Sequence, residues 1–145
     1  MGEKITVVIA SIVIIILIPY VITLSMNGRF RDGETWLSNV DTGMDVLIKQ
    51  NGSNILMDVE EYIVGVLPGL VSGDSDVSVI EAQAVAVRTK IYYTMGADTV
   101  IDASRLPYTY YSDSEKIDRW GKENFREINN RFEQAVMNTS RKIIE

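Results

Sequence analysis

Apolar positions follow three different rhythms along this chain. From Ile5 to Leu24 they are almost unbroken, ITVVIASIVIIILIPYVITL, with no charged residue. A helix of that length, at ~1.5 Å per residue, spans roughly 30 Å, the hydrocarbon core of a bilayer. Pro19 is tolerated near its end, and Tyr20 suits an interface. The run is longer than the apolar core of a signal peptide, and Ser25 to Gly28 makes a poor cleavage site. The pattern therefore predicts an uncleaved single-pass anchor over residues 1–27. Lys4 precedes the run and Arg29 and Arg31 follow it, so charge alone leaves the orientation open. A short N-terminus inside and the domain outside is the arrangement expected for such an anchor.

After a polar linker over residues 28–43, in which Trp36 and Leu37 could tack onto the domain, the rhythm becomes strand-like. Met44 to Lys49 and Asn54 to Met57 read as two strands around Gln50-Asn51-Gly52-Ser53. Asn-Gly between apolar runs is a strong hairpin signal. Asp58 and Glu61 have capping-box spacing, and Val59, Tyr62, Ile63 and Val66 then share one face of a short helix that Pro68-Gly69 ends. Val71 to Ser75 is a loop.

The third rhythm is helical. Val77, Ile80, Ala84, Val87, Ile91 and Met95 step by three or four, and a second face carries Ala82, Val85, Ala86, Thr89 and Tyr93. A helix apolar on two sides is expected at the centre of its domain, here over residues 76–95 with Gly96 as its C-terminal cap. Thr99-Val100-Ile101 suggests a short strand. Ser112 caps a helix running to about Trp120-Gly121. Phe125, Ile128, Phe132, Ala135 and Val136 mark another helix, and Ser140 to Glu145 looks like the start of a strand. The expected fold is a mixed α/β (α+β) domain over residues 44–145, with a central buried helix and short strands, behind one transmembrane helix.

Composition narrows the chemistry. The chain has no Cys and no His. Disulfides, thiol nucleophiles, Ser-His-Asp constellations and imidazole metal sites are thereby ruled out. No acidic cluster suggests a metal site, and no cofactor is expected. Acid–base chemistry falls to carboxylates, lysine or tyrosine. All but one of the 14 basic and all but one of the 20 acidic residues follow the apolar run, so the net charge of −6 sits on the domain. Such a domain is a poor match for nucleic acid or an anionic surface.

Two blocks make the sequence less anonymous. Val59-Glu60-Glu61-Tyr62-Ile63-Val64-Gly65-Val66 and Ala82-Gln83-Ala84-Val85-Ala86-Val87-Arg88-Thr89 resemble the stage II sporulation protein D family, whose members carry V-E-x-Y-[VIL]-x-G-V, then G-E-M-P or S-E-M-P, then E-A-L-K-A-Q-A-V-A-A-R-T. Trp120-Gly121, Ala135-Val136 and Arg141 to Ile144 resemble the family's later W-G and A-V-x-x-T-x-G-K-[IL] stretches. The resemblance covers Met44 to Glu145. It implies a bacterial cell-membrane protein of the sporulation or cell-wall machinery, with peptidoglycan glycan or another membrane protein as partner. Members are lytic transglycosylases whose single glutamate acts first as acid and then as base.

Counted without gaps, that glutamate falls on Leu70, within Gly69-Leu70-Val71-Ser72. Leucine has no proton to give, and loss of a general acid costs roughly 100- to 10,000-fold. Two further departures accompany this one. The family's Gly before Lys142 is Arg141 here, and the S-x-S-G-G-like stretch that helps form the groove, with its zinc-binding Cys and His in some members, has no counterpart. The resemblance thus covers the first half of the family domain.

Replacement acids are weak candidates. Asp74 and Asp76 flank the loop but read first as turn and cap residues, and Glu81, at the family's Lys position, reads first as a solvated or salt-bridged helix residue. Gln83 either lines the groove or satisfies buried backbone. Arg88 either meets substrate or, more in keeping with its helix position, pairs with an acid to hold the fold. Tyr108 and Tyr110, in PYTYY, either stack on sugar rings or serve the core. The leading expectation is a non-catalytic relative that binds a partner protein or glycan. The rival is an active lytic transglycosylase using another carboxylate or a cleft completed by a partner.

Overall fold

The structure, a computed structural model, describes residues 40–145, which belong to one compact unit. The expected anchor, and the linker as far as residue 39 with Trp36 and Leu37, lie outside the described residues. Among the described residues no helix is long and apolar enough to cross a membrane.

The hairpin forms where Asn-Gly places it. Strand β1 (Asp45–Gln50) pairs antiparallel with β2 (Ser53–Asp58), and only Asn51 and Gly52 separate them. Both turn residues have positive φ, 52° and 79°, the conformation that Asn and Gly reach most cheaply. The strands therefore run one residue closer to the turn than the apolar pattern suggests. The short strand β3 (Val100–Asp102) lies parallel to β1 on its other side, giving the sheet order β2-β1-β3. Val46 and Ile48 of β1 point into the core, while β2 buries only Met57.

Helix α1 (Val59–Val66) starts directly from β2. Asp58 caps it by accepting from the Glu60 N–H at 2.8 Å, and its other carboxylate oxygen accepts from the N–H and hydroxyl of Thr42, both at 2.7 Å. Residues 40–43, expected as linker, are thus tied to the domain. A 3-10 turn (Leu67–Gly69) carries the chain on to Leu70. Helix α2 (Val77–Met95) has Asp76 as N-cap and Gly96, at φ 68°, as C-cap. Helices α3 (Asp113–Trp120) and α4 (Lys122–Asn138) meet at Gly121, and Ser112 with Glu115 forms a reciprocal capping box.

The helix at the centre is α1, not α2. Helix α1 touches β1, β2, α2 and α4, and all its residues except Glu61 are buried. Helix α2 buries one face, Ile80, Ala84, Val87, Ile91 and Met95. Its expected second face lies towards solvent: Ala82 and Ala86 are exposed and Tyr93 is 84% exposed. Val85 and Thr89 on that face are half-buried, and the chain end approaches it at Thr89.

One interaction joins α1, α2 and the end of the chain. Glu60 and Arg88 are fully buried and form a two-pronged ion pair, with Arg88 Nη2 donating to Glu60 Oε2 at 2.6 Å and Nε to Oε1 at 2.9 Å. The guanidinium also donates to the carbonyls of Val136 and Lys142. Ser140 Oγ and the Arg141 N–H donate to Glu60 at 3.4 and 3.5 Å, and the Ile144 N–H donates to Thr89 Oγ1 at 3.0 Å. The strand expected over Ser140–Glu145 is consequently absent. Arg141 turns the chain with φ 62°, and side chains take up backbone groups that a ladder would need.

Replacing Arg88 by Met should leave a buried, uncompensated carboxylate and cost about 3–5 kcal/mol. Glu60→Gln added to Arg88→Met should recover part of that loss. Urea midpoints of the full chain and the two variants give both numbers.

Candidate functional site

Two separate cavities lie on the described surface. The first is a cleft of about 410 Å³ lined by the segment from Pro68 to Gly73 together with Arg119 and Trp120. Leu70 sits on it and is 42% exposed. The loop behind Leu70 is fixed from α4: Arg131 donates to the carbonyls of Gly73 and Ser75 at 2.6 and 2.7 Å. Gly73 lies so close to Ile128 that a Cβ would collide with it, which holds loop and helix together. Arg119 stacks its guanidinium over the Tyr111 ring, 5.4 Å from the centroid. Trp120 stacks on Phe125 and Phe132.

Among the described residues, no carboxylate lines this cleft. The three candidate replacement acids have other partners or other places. Asp74 is exposed on the turn, where its own N–H donates to Ser72 Oγ. Asp76 is engaged as the α2 cap, accepting from the Ser78 N–H and hydroxyl, and these bonds hold its carboxyl below the usual range. A carboxyl so held is ionised and poorly suited to protonate a leaving oxygen. Glu81 accepts from Asn138 Nδ2 at 2.9 Å, tying α2 to α4.

The second cavity, of about 470 Å³, lies elsewhere. Tyr62, Tyr108 and Tyr110 line it, with the hairpin end Lys49-Gln50-Asn51 and the start of α3 at its margin. Tyr62 and Tyr110 stack with centroids 5.8 Å apart and planes 13° from parallel. Tyr110 can reach that position because Gly65 offers it a bare backbone; a Cβ there would collide with the ring. The Tyr111 N–H donates to the Gly65 carbonyl at 2.8 Å, which fixes the segment along α1. Tyr62 is fully buried, and its hydroxyl has no hydrogen-bond partner among the described residues. Burial, helped by neighbouring Tyr108, pushes that hydroxyl up to about 12, so it stays protonated at neutral pH. Burial also raises Tyr108. Glu115, at the margin, is held low by the Ser112 hydroxyl and N–H in the capping box.

The sequence-derived candidates therefore fall into three places. Leu70 lies on the first cleft, and Tyr108 and Tyr110 line the second cavity. Arg88 is enclosed in the core with its donors spent on Glu60 and carbonyls, which removes it from direct substrate contact. Gln83 is half-buried on α2 and lines neither cavity. Sequence reasoning missed Arg119 and Arg131, which follow no motif, and assigned Tyr62 only to the core face of its helix. Among the described residues no group of His, Cys, Asp and Glu could hold a metal ion.

The sequence model of the stage II sporulation protein family, SpoIID, matches residues 50–145. The chain belongs to that family, whose membership carries a sporulation- or cell-wall-related function. No curated protein matches the chain. The Glu60–Arg88 ion pair unites the two sequence blocks by which the family was first discernible.

The caps carry a pH dependence of known sign. Asp76, Asp102 and Glu115 are each held below their ordinary values by serine hydrogen bonds: to Ser78, Ser104 and Ser112. The native state thus binds fewer protons than the unfolded chain, and stability rises with pH through the carboxylate range. Their contribution is present above about pH 4 and fades as pH falls through the depressed native values. Melting temperatures measured along an acid series should fall less steeply when Asp76 and Asp102 are both replaced by Asn.

Proposed function

We propose that this chain is a membrane-anchored, non-catalytic SpoIID protein whose domain lies outside the bacterial cell membrane and serves as a binding component of the sporulation or cell-wall machinery. The observation that carries this reading is the carboxylate-free lining of the cleft around Leu70. Glycosidic cleavage needs a positioned acid on the leaving oxygen. Leu70 stands at the family acid's position, and the nearby acids Asp74, Asp76 and Glu81 do not line that cleft. The loop is nevertheless held in place by Arg131, and Arg119 and Trp120 still frame an open surface. Loss of the acid with retention of a shaped cleft supports docking over turnover. The partner is a membrane protein of the same machinery or a peptidoglycan glycan strand.

The full chain in lipid nanodiscs, incubated with intact peptidoglycan and with peptidoglycan stripped of stem peptides, should release no anhydro-muropeptides by mass spectrometry. Anhydro products from the unaltered chain would overturn this reading in favour of an active lytic transglycosylase. Leu70→Glu run beside it tests the cleft: products from that variant alone would mean that the cleft still seats a glycan. Silence from both variants would point to a protein partner.

A further inference from the structure

Strand β2 is a sheet edge without a guard. The order β2-β1-β3 leaves its outer side unpaired among the described residues. Folded proteins usually blunt such an edge with Pro, Lys, a bulge or a very short strand. Ser53–Asp58 has none of these. It is six residues long, contains no Pro or Lys, and pairs with β1 in unbroken register from Asp45↔Asp58 to Gln50↔Ser53. Residues 53–56 are all exposed.

The hairpin geometry says which backbone groups are open. Across a two-residue turn the closing pair, Gln50 and Ser53, exchanges both ladder hydrogen bonds, and bonded pairs alternate after it. Asn54 and Leu56 belong to the intervening pairs, so their N–H and C=O groups point away from β1. Ile55 lies between them. It pairs with Ile48 and shares the core face of the sheet with Val46, Ile48 and Met57. Those three are buried, whereas Ile55 is 37% exposed. Leu56, on the opposite face, is 54% exposed. The core face thus runs out at β2 on a partly covered isoleucine.

Charge selects what can lie alongside. The chain carries a net charge of −6, yet Ser53 to Met57 carries none. Lys49 marks the turn end of the hairpin, and Asp45 and Asp58 face each other at the opposite end. A second hairpin laid antiparallel brings each turn end towards the other's acidic end. Laid parallel, it would set acids against acids.

We propose that β2 pairs antiparallel with β2 of a second copy of this chain, joining two three-stranded sheets into one. A two-fold axis through Ile55 is the register that uses the open groups: Asn54 of each copy exchanges both hydrogen bonds with Leu56 of the other. Ile55 then lies opposite its own counterpart, at the ~4.5 Å Cα separation of a non-bonded pair, and each covers the other on the core face. The interface is isologous, as a closed dimer requires. This self-association does not depend on what the cleft around Leu70 binds.

The chain has no cysteine, so single introduced cysteines report the register. The full chain in lipid vesicles is oxidised with copper phenanthroline, and covalent dimers are followed on non-reducing gels. Ile55→Cys should cross-link to itself. Asn54→Cys and Leu56→Cys should each cross-link about 5-fold less alone, because their like Cα atoms stand roughly 8–9 Å apart, beyond disulfide reach, and should cross-link when mixed. In the Ile55→Cys chain, Asn54→Pro removes an outward N–H that the hairpin does not use; the melting temperature should hold and cross-linking should slow about 10-fold. Leu56→Lys adds the guard that edges usually carry and should slow it likewise. Equal cross-linking of all three single cysteines would overturn the proposal, since collision has no register. Undiminished cross-linking in both the Asn54→Pro and Leu56→Lys chains would overturn it too. No covalent dimer from Ile55→Cys would also overturn it and leave the edge open to an extended segment of another protein.

Discussion

The buried pair of Glu60 and Arg88 is the constraint around which this domain closes. A carboxylate and a guanidinium taken out of water together lose a large hydration energy, and only good geometry with further hydrogen bonds offsets it. Both conditions are met here. The contact is two-pronged, and the remaining valences go to the carbonyls of Val136 and Lys142 and to Ser140 and Arg141. A hydrophobic pair of similar volume would hold α1 against α2 without linking either to the chain beyond α4. The ion pair makes that link, and it does so by directional bonds that fix register as well as proximity. Glu60 also lies in the first turn of α1, where its N–H meets the Asp58 cap that in turn holds Thr42. Both ends of the described chain therefore converge on one helix turn.

From that anchored helix the two cavities arise through close packing. Gly65 and Gly69 leave the side of α1 and its 3-10 continuation bare, and Tyr110 and Tyr111 lie down on them in turn. The tyrosine segment then divides the surface. Tyr110 faces Tyr62 and the hairpin, while Tyr111 carries Arg119 towards the Leu70 cleft. The separation matters for function. Tyr108 and Tyr110 line one cavity and Leu70 lines the other, so residues singled out together in the sequence lie apart in the fold.

Much of the fold was legible because its signals are local. Asn51-Gly52 demands a primed turn, Asp58, Asp76 and Ser112 demand caps, Gly96 and Gly121 demand helix ends, and each occurs where its chemistry requires. What failed was nonlocal. Helix α2 carries small and apolar residues on two faces, and periodicity alone cannot say which face meets the core. Helix α1 is too short to advertise that it is buried nearly all round. The strand expected over Ser140–Glu145 was lost to partners far away in sequence, Glu60, Arg88 and Thr89, which no window around residue 140 contains. For the site, Leu70 was legible only because a family motif gave its position a meaning. Arg119 and Arg131 had no such motif, and their roles depend on where α3 and α4 come to lie.

The buried Tyr62 hydroxyl is the sharpest departure from an otherwise satisfied interior. Its aromatic ring is fully used, stacked on Tyr110 and enclosed by the core. Stability alone would favour phenylalanine at this position, because the ring packing would survive and the unpaired polar atom would go. The same residue stands in the block that identifies the family, one turn before Gly65, the glycine that admits Tyr110. Tyr62, Gly65 and Tyr110 thus form a single packing unit, and the hydroxyl of Tyr62 is its unpaired polar atom. Among the described residues the Tyr62 hydroxyl is thus the buried side-chain polar atom left without a hydrogen-bond partner, while the buried charges of Glu60 and Arg88 are paired.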